Sequence, residues 1–246
     1  YVVNTSNPMK IALRTIRLDI ISEAQSKDVA TRIAYAAKHA NIANAWKKWQ
    51  GEVKGLKKMK TVANKLAHEK SFDKWADGGE FDGVIECLDS LYKEVEPYSF
   101  AYDYYNETVR SIEVANFAMS IARLYHPSGD DITFENAKAA DLAESFYKDY
   151  HLPIDKETFV AMFEAFEKNV PENFQPQFFW NQMKIYGTSK EWAEDLFTSS
   201  IFADKQNLID LISCHDKEHG AKHSGKDVST DPAYVIAKEF TRRYEK

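Results

Sequence analysis

Residues 41–66 read NIANAWKKWQGEVKGLKKMKTVANKL, and the spacing of their apolar positions decides the fold class. Ile42, Trp46, Trp49, Val53, Leu56, Met59, Ala63 and Leu66 recur at intervals of three or four. That is the period of one helix face, whereas a half-buried strand alternates every second residue. Followed in both directions, the seam predicts a long helical arm from Val29 to Trp75, with Gly51 and Gly55 as the places where it breaks or kinks. Asp28 caps its start and Asp77-Gly78-Gly79 ends it.

The same reading extends outward. Asn7-Pro8 forms an N-cap and first helical position ahead of a stripe of Leu13, Ile16, Ile20 and Ala24. After the arm, a helix from Glu80 to Val95 stops at Pro97, because the residue before a proline is pushed out of the helical region. An aromatic helix follows, with Tyr102, Tyr105, Val109, Ile112, Ala115, Met119 and Ala122 on one face. His126-Pro127-Ser128-Gly129-Asp130 reads as a loop and Phe134 to Tyr147 as a shorter helix. Asp155 is placed as the cap of a helix carrying Phe159, Phe163, Phe166 and Val170, which ends before Pro171. Short helices are expected over Pro176–Tyr186, Ser189–Phe197 and Asp204–Asp216, and Asp231-Pro232 starts the last one. No strand pattern survives. The fold class is all-α: a multi-helix domain with long N-terminal helices and a cluster of shorter C-terminal ones.

Composition agrees. Nine glycines and seven prolines in 246 residues are about half the usual share, too few turn-formers for a sandwich or a β-barrel. No Gly-x-Gly-x-x-Gly or Gly-x-x-x-x-Gly-Lys run is present, which argues against a dinucleotide or P-loop site. The net charge of −6 gives no electrostatic footprint for nucleic acid or an anionic membrane. No apolar run reaches the length of a membrane span. Cys87 and Cys214 make neither a disulfide framework nor a cysteine zinc site. The first residue is Tyr1, as expected of a mature or excised piece.

Three constellations invite a chemical reading. His215, His219 and His223 at i, i+4 and i+8 would share a helix face, the geometry of an imidazole zinc site. Asp216 follows the first histidine, so the metalloprotease base is misplaced, and Gly220 and Ser224-Gly225 end the helix; a solvated loop is the expectation, with no metal and no cofactor. The lysines Lys54, Lys57, Lys58 and Lys60 fall opposite the tryptophan seam, on a solvated outer face. No Gly-x-Ser-x-Gly turn exists, and both cysteines sit among acidic or apolar neighbours that do not favour a thiolate. The chain carries no self-sufficient active site.

One stretch has a character that periodicity does not explain. Arg32-Ile33-Ala34-Tyr35-Ala36-Ala37-Lys38-His39-Ala40, then Asn44-Ala45-Trp46-Lys47-Lys48, then Gly51 and Lys54-Gly55-Leu56-Lys57-Lys58 resembles the helical domain of the bacterial dipeptidyl-peptidase 7 and 11 family. A second block agrees: Phe146-Tyr147-Lys148-Asp149-Tyr150 with Asp155-Lys156 and Phe159, then Leu196-Phe197, Ser199-Ser200-Ile201-Phe202 and Asp204, with Asp231-Pro232 near the end. Members are serine exopeptidases that release N-terminal dipeptides. The resemblance implies that residues 1–246 are a single α-helical cap domain cut from a larger peptidase. The catalytic double β-barrel and its Ser-His-Asp triad are then absent, so the fragment alone is inactive. It also implies that Asn44 helps bind the substrate's N-terminal ammonium, since a carboxamide oxygen accepts from such a donor. Ala45 and Lys48 depart from the family's Tyr and second Asn. The implied partners are the peptide N-terminus and the parent's own β-barrel; a homodimeric parent is left open. The implied location is the periplasm or cell surface. The alternative is a free-standing helical binding or scaffold domain. The cap reading requires Tyr1 and Lys246 to lie close together and Asn44 to face an open surface.

Overall fold

The computed structural model describes residues 7–128, 131–134, 136–216 and 228–242. The first half is built on α1 (Asn7–Lys27), the one-turn-and-a-half α2 (Val29–Ala34), α3 (Ala36–Lys58), α4 (Thr61–Ala76) and α5 (Val84–Arg110). The second half holds α6 (Glu113–Ala122), α7 (Asn136–Lys148), α8 (Leu152–Asn169), α9 (Gln177–Tyr186), α10 (Ser189–Ser199), α11 (Lys205–Asp216) and α12 (Pro232–Arg242). The all-α expectation stands, long helices first and shorter ones after.

The predicted arm is not one helix. Asp28 caps α2 as expected, its carboxylate accepting from the Thr31 amide at 2.7 Å. The chain then bends at Tyr35, whose ring is fully buried. It bends again at Met59-Lys60, where Lys60 takes a left-handed φ of 51°. Gly51 and Gly55, the expected break points, lie inside α3 with open space around the position of a Cβ. The breaks therefore fall at a buried tyrosine and at a left-handed lysine, and the glycines are passengers.

Pro97 does not end a helix either. α5 runs through it from Val84 to Arg110. The proline costs one backbone hydrogen bond, but Ala101, Tyr104, Tyr105 and Val109 behind it are buried in the core and hold the helix on course. The predicted continuous aromatic helix instead breaks at Ser111-Ile112, where α5 hands over to α6. The region read as a loop is an antiparallel hairpin, β1 (Tyr125–Ser128) and β2 (Asp131–Phe134), with Tyr125 opposite Phe134. Two runs of four residues are too short for alternation to be visible in the sequence. The stretches Pro176–Tyr186, Ser189–Phe197 and Asp204–Asp216 emerge as α9, α10 and α11 to within two residues.

The core has two parts. The larger gathers aromatics from α5, α8, α9 and α10 around Phe159, Phe163, Phe166, Phe179 and Trp192, with α6 and α12 closing it through Phe117, Ala118, Ile121 and Ile236. Edge-to-face contacts such as Phe159–Trp192, at 5.1 Å between ring centres, fit the preference of aromatic pairs. A smaller cluster of Ile20, Ile21, Tyr35 and Ile154 pins α1 and the α2–α3 bend onto α8. No helix among the described residues is long and apolar enough to cross a membrane.

Candidate functional site

Tyr35 and Lys38, both in the stretch with family character, serve a joint. The Tyr35 hydroxyl accepts from the His151 amide at 3.3 Å and feels the charge of Glu113. Lys38 lies 4.4 Å above the Tyr35 ring, pairs with the Glu113 carboxylate, and donates to the Asp149 carbonyl at 2.6 Å. Behind them sits Asp155, which is only 1% exposed. Its two oxygens accept from the Glu113 and Val114 amides at 2.7 and 2.8 Å, and the Tyr150 hydroxyl donates to it at 3.3 Å. Asp155 therefore does not cap its own helix, as the sequence suggested. His151 is the N-cap of α8, and Asp155 caps α6 from outside. Burial, followed by the Glu113 charge, pushes the Asp155 carboxyl up to about 7, against the two amides that pull it down. Burial also raises the Tyr35 and Tyr150 hydroxyls.

The second block resolves in the same way. Asp231 accepts from the Ile201 amide at 2.7 Å, the Ser200 hydroxyl at 2.9 Å and the Ala233 amide at 2.9 Å. It caps α12, as its place before Pro232 predicted, and ties that helix to the 3-10 turn after α10. The Tyr147 hydroxyl reaches the carbonyls of Phe202 and Asp204 at 2.9 and 3.3 Å. These residues fix where helices meet.

Asn44 is placed differently. On α3, Trp46 donates to the Thr15 hydroxyl at 3.0 Å and Trp49 lies under Lys10 and Arg14, so both rings face α1. Asn44 lies on the opposite side, exposed together with Ala37, Ala40, Asn41 and Lys48.

One turn before Asn44, the α3 side chains of Lys38, Asn41 and Ile42 enter an open groove of about 570 Å³. Arg17 from α1 and Arg110 from the end of α5 border it, with Glu113, Asn116 and Ser120 of α6 along its floor. Leu142, Ser145 and Phe146 of α7 form the far wall, where Phe146 stacks on Phe117 at 3.9 Å. Sequence reading missed this groove, since it joins residues from five helices and no local spacing marks it.

The other sequence candidates are a lysine run and a histidine cluster. Lys54, Lys57, Lys58 and Lys60 are exposed. The His215 side chain, His219 and His223 lie outside the described residues, as do Tyr1 and Lys246. Among the described residues no cluster of histidine, cysteine and carboxylates could hold a metal ion.

Comparison with known proteins completes the picture. The model of the peptidase S46 family matches residues 1–246. The chain belongs to the peptidase S46 family. It is 28% identical to the Asp/Glu-specific dipeptidyl-peptidase of Flavobacterium psychrophilum, a match covering all of this chain and 34% of that protein. It is 30% identical to dipeptidyl-peptidase 7 of Porphyromonas gingivalis, over 96% of this chain and 33% of that one. The S46 chain thus spans about a third of the length of these relatives. The crystal structure of Porphyromonas endodontalis DPP11 shares the fold, with a TM-score of 0.75 at 20% identity over 98% of this chain and 34% of its own. That protein is also known in complex with the dipeptide Arg-Glu.

Proposed function

We propose that this S46 chain is the helical cap of a serine dipeptidyl-peptidase, covering the active-site cleft of a catalytic part that lies outside these residues. The observation that carries the reading is the position of Asn44, in the middle of the open face of α3 while Trp46 and Trp49 are turned toward α1. An enzyme that counts two residues from a free N-terminus needs a fixed acceptor for the terminal ammonium and a wall beyond the second residue. The Asn44 carboxamide oxygen is such an acceptor. The apolar positions left open on α5, among them Leu88, Leu91 and Val95, support docking against further protein.

On this reading residues 1–246 form one domain and hydrolyse nothing alone, because nucleophile and base reside in the rest of the parent. The parent releases N-terminal dipeptides from peptides in the periplasm or at the cell surface, without a cofactor. The test is a dipeptidyl-amide substrate assay on the full-length parent, wild type against Asn44→Ala. Losing a hydrogen bond to a charged group is worth about 1.5–3 kcal/mol, so kcat/KM falls by roughly ten- to a hundredfold. An unchanged kcat/KM removes Asn44 from the substrate site.

A further inference from the structure

α3 packs chiefly on α1, yet no residue of α3 is fully buried. A buried apolar stripe is what normally fixes the rotation of a helix about its own axis. Here directional bonds supply what burial leaves out. Side-chain rungs join the two helices, spaced about two turns apart along each. The Ser22 hydroxyl and His39 Nε2 share a hydrogen bond at 3.1 Å, Trp46 Nε1 donates to the Thr15 hydroxyl at 3.0 Å, and the Asn7 carboxamide donates to Glu52 at 3.1 Å. The Trp46 rung lies between the other two.

That rung is the one suited to set direction. An indole has a single N–H, in the plane of its ring, so one acceptor settles where the ring points. The acceptor is itself fixed. Thr15 gives its own proton to the Ile11 carbonyl one turn back, at 2.9 Å, which leaves the lone pairs of its oxygen for Trp46. Both partners are half-buried, so water competes poorly for the bond. The His39 rung is exposed, and Lys10 and Arg14 meet Trp49 over its ring face, where no hydrogen bond sets a direction. Asn44 precedes Trp46 by two residues, about 200° around the helix. A helix turns as a unit, so slack at Trp46 reappears at Asn44. Side chains lie about 5–6 Å from the axis, and a rotation of about 20° therefore carries the carboxamide about 2 Å. A misplacement of about 1 Å in a reacting complex can cost about a hundredfold in rate.

We propose that Thr15 is a positioning residue: through Trp46 its hydroxyl fixes the rotation of α3 on α1, and so the aim of Asn44. Thr15 touches no substrate. Its effect on turnover rests on the reading of Asn44 as the acceptor for the substrate's ammonium, whereas its effect on α3 does not.

The test uses the full-length parent and the dipeptidyl-amide assay already described. Thr15→Val keeps the branched side chain and removes the acceptor; it should lower kcat/KM about three- to tenfold, the range of one neutral hydrogen bond. Trp46→Phe keeps a ring without the N–H and should do the same, while Thr15→Ser, which retains the hydroxyl, should restore the wild-type value. The double variant Thr15→Val/Asn44→Ala should be no slower than Asn44→Ala alone, since a residue that acts through Asn44 has nothing left to position. Losses that multiply overturn the proposal, as they would for a merely structural threonine. Crystal structures of the wild type and Thr15→Val, superposed on α8, supply the second readout: the Asn44 carboxamide should move by about 1–2 Å. An unmoved α3 overturns the proposal whatever the kinetics. If Asn44→Ala is itself silent, the reading of Asn44 fails, and the two crystal structures decide alone whether Thr15 sets the face of α3.

Discussion

Glu113 and Val114 open α6 by donating their amides to Asp155, a residue 42 and 41 positions further along the chain. A cap supplied from so far away leaves no local signature, which is why the sequence assigned Asp155 to its own helix. Asp231 was legible because its partner Ala233 is two residues on. The side of α3 on which Asn44 lies was legible too, since it follows from the angle between Asn44 and the tryptophan seam. The role of Tyr35 was not, because a fully buried tyrosine at a bend looks like any apolar position until Glu113 and His151 are beside it. The perturbed carboxyl of Asp155 has a consequence for pH. Its folded value, pushed up to about 7, lies above the ordinary 3.8, so the folded state holds the proton more tightly. The contribution of Asp155 is therefore fully present below about pH 4 and is lost as pH rises through 7. Asp155→Asn removes this slope and leaves one α6 amide without an acceptor, at a cost of about 1–3 kcal/mol. Urea unfolding of both proteins between pH 5 and 8 should show the largest destabilisation at the acid end. A difference that grows toward pH 8 contradicts the assignment.

At the scale of elements, the sequence carried the helices and misjudged the joints. Period and caps are local, so α9 to α11 emerge close to their observed limits, as do the starts of α1 and α12. Whether a glycine bends a helix or a proline ends it depends on what packs against the neighbouring turns. Pro97 is carried through because the turns behind it are anchored, and Gly51 stays helical because nothing presses on it. The observed break falls on Lys60, where a side chain takes a left-handed conformation that glycine adopts without steric penalty. The lysine pays about 1 kcal/mol for this geometry. Lys60→Gly should raise stability by up to about 1 kcal/mol, reduced by the extra freedom of glycine in the unfolded chain, and leave the helical circular dichroism unchanged. Gly51→Ala, inside a helix with open space around it, should add about 0.5–1 kcal/mol. If Lys60→Gly destabilises instead, the bend is set by the lysine side chain and not by the backbone.

The whole molecule divides into a tightly packed body and a thin arm. In the body, Phe163 is fully buried and touches Phe159, Phe179 and Trp192. In the arm, every residue from 77 to 96 except Ile85 is exposed, and a cavity of about 440 Å³ opens between α4 and α5 around Phe72 and Ile85. Val84, Leu88, Leu91, Val95 and Tyr98 follow one another on α5 at intervals of four and three, a regular apolar stripe open to solvent. Burial governs stability, so the two regions should respond to truncation in opposite ways. Phe163→Ala should cost about 3–5 kcal/mol through the cavity it leaves. Leu88→Ser should stay within about 0.5 kcal/mol, since no buried contact is lost. Amide exchange should follow the same division, with α4 and the first half of α5 opening at low free energy and α8 and α10 only on global unfolding. The cap reading adds a condition on the parent. If the stripe is a docking surface, exchange over residues 84–98 slows in the full-length protein relative to the 246-residue chain, and Leu88→Ser removes that protection. Equal exchange in the two proteins would mean that the arm stays exposed in the parent and that the cap meets its catalytic part through another face.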